Sequence, residues 1–323
     1  MDINRLKAKT VRLHRTRLVR HNIELQYPDA LQEERSTLYH LIKRRQRRMQ
    51  RTITAVDDPT SGITTTTPRG IITAFSTYLR LKYSPIQVDD ESIQQLAEAG
   101  LPRLSENWRN ALNGPLTLEE LKAAIMKGDG NKAPGRDGIG YALFKANWDV
   151  VKDDWLDILS TMFARNNISE QQKRGVIVCI PKTARPHQPS DYRPITLLNT
   201  DCKILARVVA NRLRPTLEDL LHPNQYCGRP GNTIFEALAT VRDAIAFAET
   251  TRTPLCIISL DFIEAFDRMS HKYLFAILRC YGFSDTFVEH IQHMYDNATS
   301  MVQVNGHLSA PSPFSAPYDR AVY

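Results

Sequence analysis

The stretch LCIISLDFIEAFDRMS, residues 255–270, decides how this chain is interpreted. Leu255 to Leu260 form an almost unbroken apolar run that ends at the carboxylate of Asp261. A continuous apolar run of this length predicts a strand that is covered on both faces of a sheet. The end of such a strand is where folds of mixed helix and sheet expose their functional residues, so Asp261 is the first candidate site residue.

A lone carboxylate at a strand end suits Mg²⁺, which binds through one or two carboxylates together with substrate phosphates. Strand-end aspartates are also common structural caps, and spacing alone leaves both interpretations of Asp261 open. Asp267 follows six residues later, just before Ser270, which caps a predicted helix. Its position favours a turn or capping role.

The composition of the 323-residue chain is that of an ordinary globular protein, with 42% apolar and 24% charged residues. Its five cysteines are scattered and form no CxxC pair, which argues against a disulfide framework or a zinc site. The N-terminus has no signal-peptide core, and no apolar run approaches the roughly 20 residues of a membrane span. We therefore expect a soluble, intracellular protein of the nucleus or cytoplasm.

Positive charge is concentrated at the N-terminus. Residues 1–51 contain 14 Lys or Arg against 5 Asp or Glu, although the whole chain carries only +7. The densest run is KRRQRR, with Lys43, Arg44, Arg45, Arg47 and Arg48. A basic segment on a near-neutral body predicts a polyanionic partner, and a solvated tail is the plain alternative.

Periodicity and composition predict an α+β fold with four regions. Residues 1–54 form a basic helical arm, 55–70 a linker rich in Pro, Gly, Ser and Thr, and 71–115 a helical connector. Residues 116–323 carry alternating helices and strands, with strands predicted at GVIVCIPK (175–182) and YRPITLL (192–198) and a hairpin turn at Asn305-Gly306.

Capping signals locate several helix starts. Thr117 with Glu120, and Thr233 with Glu236, match the capping box. In the helix predicted for residues 201–213, the apolar positions lie on one face. The other face is predicted to be solvent-exposed and carries the basic residues Lys203, Arg207 and Arg212.

Several catalytic patterns are excluded. The loop GDGNKAPGRDGIG (128–140) has the glycine spacing of a P-loop, but it lacks the Lys-Ser/Thr pair and follows a helix. EHIQH (289–293) is not the HExxH metal helix. Cys227 has no partner base in a recognisable pattern, and Ser259 lacks a nucleophile elbow.

The segment LDFIEAFDRMSH (260–271) resembles the first catalytic motif of reverse transcriptases of the LINE (non-long-terminal-repeat) retrotransposon type. Four further segments resemble other blocks of that family, in its order, so that the resemblance spans roughly residues 117–306. They are NKAPGRDGI (131–139), VIVCIPK (176–182), DYRPITLLNTDCKILARVVANRL (191–213) and HPNQYCGRPGNTIFEAL (222–238).

The resemblance implies a partial right-hand polymerase, with fingers and the first part of the palm preceded by the basic helical N-terminal region. Asp261 would ligate catalytic Mg²⁺, and Phe262 would present its backbone carbonyl to metal or triphosphate. Phe266 would be the aromatic gate that excludes a ribose 2′-hydroxyl. Lys182 and Arg193 would hold the triphosphate of the incoming deoxynucleotide. The implied partners are an RNA template and a DNA primer, with no membrane.

The sequence departs from the family at its second catalytic motif. Two-metal catalysis needs further carboxylates, which the family supplies from an aromatic-x-Asp-Asp hairpin downstream of the first motif. No such hairpin follows Asp261. We therefore expect a C-terminally truncated polymerase domain that does not polymerise alone, with an exposed sheet edge beside residues 255–260.

Two other functions compete with this interpretation. A non-catalytic nucleic-acid-binding remnant would hold RNA or DNA through phosphates, without needing Mg²⁺ or Asp261. A membrane-surface protein is a weaker hypothesis, because the apolar stripe beside KRRQRR lacks Trp and Phe.

Overall fold

The computed structural model describes residues 52–84, 88–164, 168–229, 231–262 and 269–313. The chain divides into two compact units at Thr54–Ala55, and nearly all of the described residues belong to the second. The basic helical arm therefore lies almost entirely outside the described residues, as does Asp267.

A four-stranded sheet organises the part of the chain that is described. Its strands are β3 (Gly175–Pro181), β4 (Tyr192–Leu197), β5 (Ser300–Val304) and β6 (His307–Leu308), in the order β4-β3-β5-β6. β3 pairs antiparallel with β4 and parallel with β5. The predicted turn joins β5 to β6, with positive φ at both Asn305 and Gly306.

A small hairpin precedes the first helix. Its strands are β1 (Val56–Asp57) and β2 (Thr64–Thr65), which pair antiparallel. The Val56 side chain is only 1% exposed, so the segment predicted as a linker is folded onto the rest of the unit. Gly, Ser and Thr suit a tight hairpin as well as a linker.

The first helix, α1 (Pro68–Lys82), covers one face of the sheet. Thr67 caps it by accepting a hydrogen bond from the Gly70 N–H, and Pro68 occupies its first turn. Phe75 is completely buried, and its ring meets that of Tyr192 edge to face at 5.0 Å. This contact fixes which face of β4 turns toward α1.

Ten further α-helices follow α1 in the described residues, and the three with predicted caps begin where expected. Thr117 with Glu120, and Thr233 with Glu236, form the predicted capping boxes. Ser270 caps the helix that follows it. The helices are α2 (Asp90–Glu98), α3 (Glu106–Asn113), α4 (Leu118–Lys127), α5 (Tyr141–Ala146), α6 (Trp148–Ala164), α7 (Thr200–Leu213), α8 (Leu217–Leu220), α9 (Ile234–Thr251), α10 (His271–Cys280) and α11 (Asp285–Tyr295).

Helix α7 lies at the centre of the hydrophobic core. Ile204, Leu205, Val208 and Val209 are buried as predicted, and each such side chain contributes about 1.5–3 kcal/mol through burial. Residues of α4, α6 and α11 complete the same core. The core is therefore built mainly between helices, and the sheet flanks it.

The predicted outer face of α7 is not fully exposed. Lys203 is only 8% exposed, and its Nζ donates to the carbonyl oxygen of Ala133 at 3.2 Å. The Arg212 side chain is also 8% exposed and pairs with Glu120. Both were predicted to face solvent, and both predictions are wrong, because the connections around α4 cover α7 on a second side and offer oxygen acceptors to long basic side chains.

The predicted strand at residues 255–260 is not formed. Residues 253–262 have no regular secondary structure, and Ile258 and Leu260 are 76% and 82% exposed. The segment pairs with none of the strands in the β4-β3-β5-β6 sheet. An apolar run becomes a buried strand only where other elements cover it, and none of the described elements does.

Helix α9 shares this exposure. None of its residues is buried, although Phe235, Leu238 and Phe247 are large and apolar.

Among the described residues, no helix is long and apolar enough to cross a membrane.

Candidate nucleotide-binding hairpin and catalytic aspartate

The β3–β4 hairpin carries both Lys182 and Arg193. Arg193 lies opposite Ile180 in the register, and Lys182 comes two residues after Ile180 along the chain. Because side chains alternate between the faces of a strand, Ile180, Lys182 and Arg193 share one face. Diagonal neighbours of this kind lie within reach of one another when their side chains are long.

This face is open to solvent. Lys182 and Arg193 are exposed, and Ile180 is 48% exposed. The opposite face of the hairpin is covered by α1, and burial there raises the pKa of the Cys179 thiol to about 12. Burial thus disfavours the thiolate form of Cys179, while two basic side chains are exposed on this hairpin.

The base of the hairpin loop is fixed by backbone contacts. The Lys182 backbone N–H donates to the Asp191 carbonyl at 2.8 Å, and its Nζ donates to the Ser190 carbonyl at 2.8 Å. The Asp191 carboxylate accepts from the N–H groups of Gln188 and His187, which lower its pKa. Arg193 forms no ion pair with any described residue, so its guanidinium is available to an anion.

Asp261 lies in the irregular segment after α9. It is exposed, as is the adjacent Phe262, whose side chain is 80% exposed. Within the described residues, Asp261 forms no hydrogen bond or ion pair, and no group of three His, Cys, Asp or Glu side chains is arranged to hold a metal. The structure therefore carries Lys182 and Arg193 on the same hairpin, and no contact joins either of them to Asp261 among the described residues.

Other predicted site residues lie outside the described part of the chain. Phe266, the predicted aromatic gate, is one of them. The basic cluster is another; its members are Lys43, Arg44, Arg45, Arg47 and Arg48. Their roles stay predictions.

The loop NKAPGRDGI is built against the N-terminus of α7, which sequence reasoning did not foresee. A Cβ placed on Gly135 would lie 2.2 Å from Asn199 Oδ1, so only glycine fits this approach. Thr200 Oγ1 donates to the Ile139 carbonyl at 2.5 Å. Together with the Lys203 contact to Ala133, these bonds hold both ends of the loop.

Burial shifts the pKa values of two charged side chains where this loop meets α7, those of Asp137 and Lys203. Burial raises the pKa of Asp137, whose Oδ1 accepts from the Ile139 N–H at 2.9 Å. Burial lowers the pKa of Lys203, with Asp137 acting against that shift. The described part of this loop has no metal-ligand cluster. We interpret it as a structural support for the N-terminus of α7.

Residues 180–316 match the family model described as reverse transcriptase (RNA-dependent DNA polymerase). A Xenopus laevis protein, the transposon TX1 uncharacterized 149 kDa protein, is 33% identical over 276 residues, which are 85% of this chain and 21% of that protein.

Two Drosophila melanogaster proteins are also similar. The probable RNA-directed DNA polymerase from transposon X-element is 27% identical over 247 residues, 74% of this chain and 26% of that protein. The RNA-directed DNA polymerase from mobile element jockey is 26% identical over 253 residues, 75% of this chain and 26% of that protein. The chain thus spans about a fifth to a quarter of the length of these relatives.

Proposed function

Because this chain belongs to the reverse transcriptases of non-long-terminal-repeat retrotransposons, we propose that it supplies the fingers and the first part of the palm of an RNA-directed DNA polymerase. By family it is a nucleotidyltransferase. Its substrates in this proposal are an RNA template, a DNA primer and deoxynucleoside triphosphates, and it acts inside the cell.

One observation carries the proposal beyond the family. Arg193 lies on β4 opposite Ile180, and Lys182 follows the end of β3 in the same hairpin. Both side chains are exposed, which supports contacts from both cations to a single triphosphate. Arg offers a forked contact to phosphate oxygens, and Lys a point contact. Phosphoryl transfer needs cations placed against the charge that develops on the phosphates, and this face can provide them.

The site around Asp261 is incomplete within the described residues. The family generally uses divalent metals such as Mg²⁺, but Asp261 alone is too few ligands for the two ions of this chemistry. We therefore assign no reaction step to a metal here. We propose that Asp261 and the Phe262 carbonyl join further carboxylates, and that this chain without them does not polymerise.

Primer extension on an RNA template tests this proposal. Three proteins are compared: this chain, this chain fused to the part of the Xenopus laevis relative that follows the matched region, and that fusion with Asp261→Ala. We expect product only from the fusion with Asp261 intact.

Two results would contradict the proposal. One is product that persists after Asp261→Ala. The other is a folded fusion that binds primer and template but extends nothing. The latter would favour the non-catalytic nucleic-acid-binding function.

A further inference from the structure

A second basic surface lies between α1 and the strand β6 with the residues after it. It is an open groove of about 560 Å³, which we call the α1 groove. Helix α1 contributes Arg69, Thr73, Thr77 and Arg80 to its wall, and His307 and Ser309 line the other side. Nothing about the nucleotide-binding hairpin requires this groove.

The groove is separate from the Lys182 and Arg193 face. Tyr192 packs against Phe75 of α1, so it lies on the side of the sheet that α1 covers. Arg193 is the next residue along β4 and therefore points to the opposite face. A ligand in the α1 groove and a triphosphate on the hairpin face would not compete for the same side chains.

The residues that form the groove include basic side chains but no acidic ones. Helix α1 contains Arg69, Arg80 and Lys82 but no acidic residue, and residues 307–313 contain none either. Neither Arg69 nor Arg80 forms an ion pair with a described residue. Two guanidinium groups thus face a cavity whose walls carry no acidic side chain, which favours an anionic ligand.

Three hydroxyl side chains, those of Thr73, Ser76 and Thr77, lie between Arg69 and Arg80 along α1 and line the groove. Arg69, Thr73, Thr77 and Arg80 follow the three- and four-residue spacing of one helix face. Ser76 also lines the groove, and its buried Oγ has no hydrogen-bond partner within the described residues. Arg, Ser and Thr side chains are the groups that proteins use to contact nucleic-acid phosphates.

The length of the groove distinguishes a polymer from a single anion. Arg69 and Arg80 are eleven residues apart, which is about 16 Å along a helix axis. Helix side chains lean toward the helix N-terminus, so the two guanidinium groups keep a similar spacing, which favours more than one phosphate. A nucleic-acid strand that advances about 3.4 Å per nucleotide covers it with roughly five nucleotides.

We propose that the α1 groove binds the phosphate backbone of a single nucleic-acid strand and anchors it on the side of the sheet opposite the nucleotide-binding face. The contacts are made to phosphates and carry no sequence preference. The proposal does not depend on polymerase activity. It adds a nucleic-acid contact that the family match leaves unassigned.

Fluorescence anisotropy with a labelled 20-nucleotide strand tests the groove, with RNA and DNA of the same sequence as separate arms. We expect Arg69→Gln/Arg80→Gln to weaken binding roughly tenfold near 0.1 M salt, and to reduce the slope of log K against log salt by about 1.4 for two lost single-strand contacts. Arg103→Gln/Lys122→Gln removes the same charge from exposed positions outside the groove, and should change neither quantity as much. Equal effects of the two double variants would overturn the proposal.

A second pair of variants keeps both arginines. Ala310 lines the groove and is exposed, so Ala310→Glu and Ala310→Gln are of equal size and should fold alike. The Glu variant should bind several-fold more weakly than the Gln variant, and equal affinities would contradict a groove that holds phosphates. Displacement of the strand by millimolar inorganic phosphate at constant ionic strength would instead indicate a single-phosphate site and overturn the polymer assignment.

Discussion

Arg212 holds Glu120 in a two-pronged ion pair. Its Nε donates to Glu120 Oε1 at 2.5 Å and its Nη2 to Oε2 at 2.7 Å. The same guanidinium donates to the carbonyl oxygens of Leu112, Gly114 and Pro115. One side chain of α7 thus fixes the connection between α3 and the start of α4.

Loss of Arg212 should destabilise the fold strongly. Arg212→Met removes five hydrogen bonds and leaves the partly buried Glu120 carboxylate without its cation, at a cost of about 3 kcal/mol. Arg212→Lys should recover only part of this, because an ammonium cannot reproduce the forked contact. The free energy of unfolding from urea titration measures both.

The matched control is Arg242→Met. Arg242 also pairs with a carboxylate, that of Asp243, but its side chain is 77% exposed. A solvated pair contributes little, so the change should stay within about 0.5 kcal/mol. Similar losses for Arg212 and Arg242 would contradict the role of burial.

The stability contributed by Glu120 should depend on pH. Burial opposes its ionisation, but hydrogen bonds from Arg212 and Thr117 outweigh that effect and hold its pKa below the ordinary value of 4.5. A carboxylate with a lowered pKa in the folded state stabilises above its unfolded pKa, and this stability is lost as pH falls through the folded pKa.

Glu120→Gln isolates this dependence. The wild type should exceed the variant in unfolding free energy at pH 7, and the difference should shrink as pH falls from about 4.5 toward 3. Parallel stability curves for the two proteins over that range would show that the Glu120 carboxylate does not carry the effect.

Gly135 should not tolerate a side chain. A Cβ at this position would lie 2.2 Å from Asn199 Oδ1 and 2.4 Å from the Asn199 backbone nitrogen. Gly135→Ala should therefore cost about 1–3 kcal/mol or more, since backbone must move. Gly130→Ala in the same loop is the control, because its nearest neighbour is Ala142 Cβ at 3.7 Å; thermal unfolding should rank the two clearly.

The apolar surface of α9 and residues 253–262 should bind a hydrophobic dye in the folded protein. Ile258→Ser/Leu260→Ser should reduce dye fluorescence and aggregation while changing unfolding free energy by no more than about 0.5 kcal/mol, because both side chains are exposed. Ile177→Ser, at a fully buried position, should instead be strongly destabilising. A large stability loss in the double variant would mean that this segment is packed.

Local signals in the sequence were enough to predict most of the helices and the β3–β4 hairpin. Caps such as Thr117 and Ser270, and the turn at Asn305-Gly306, act through neighbouring backbone groups, so a short window of sequence contains them. The two strand patterns, 175–182 and 192–198, are also local, and they include Lys182 and Arg193.

Tertiary relationships could not be predicted in this way. Lys203 and Arg212 lie on the polar side of α7 by periodicity, but acceptors from distant segments bury them. The apolar run at residues 255–260 predicted a central strand, yet its burial depends on partners that no local pattern specifies. Arg69 fell in the predicted linker, so its place on the same helix face as Arg80 emerges only from the fold, as does the β6 strand opposite.

Photo-cross-linking of a deoxynucleoside triphosphate to the β3–β4 hairpin tests the central claim most directly. Lys182→Gln and Arg193→Gln should each weaken binding about 10- to 100-fold, as expected for a lost hydrogen bond to a charged group. Arg185→Gln, an exposed change in the same hairpin loop, should leave binding within about twofold. Unchanged binding in the Lys182 and Arg193 variants, or an equal loss in the Arg185 variant, would contradict the assignment of this face to the incoming nucleotide.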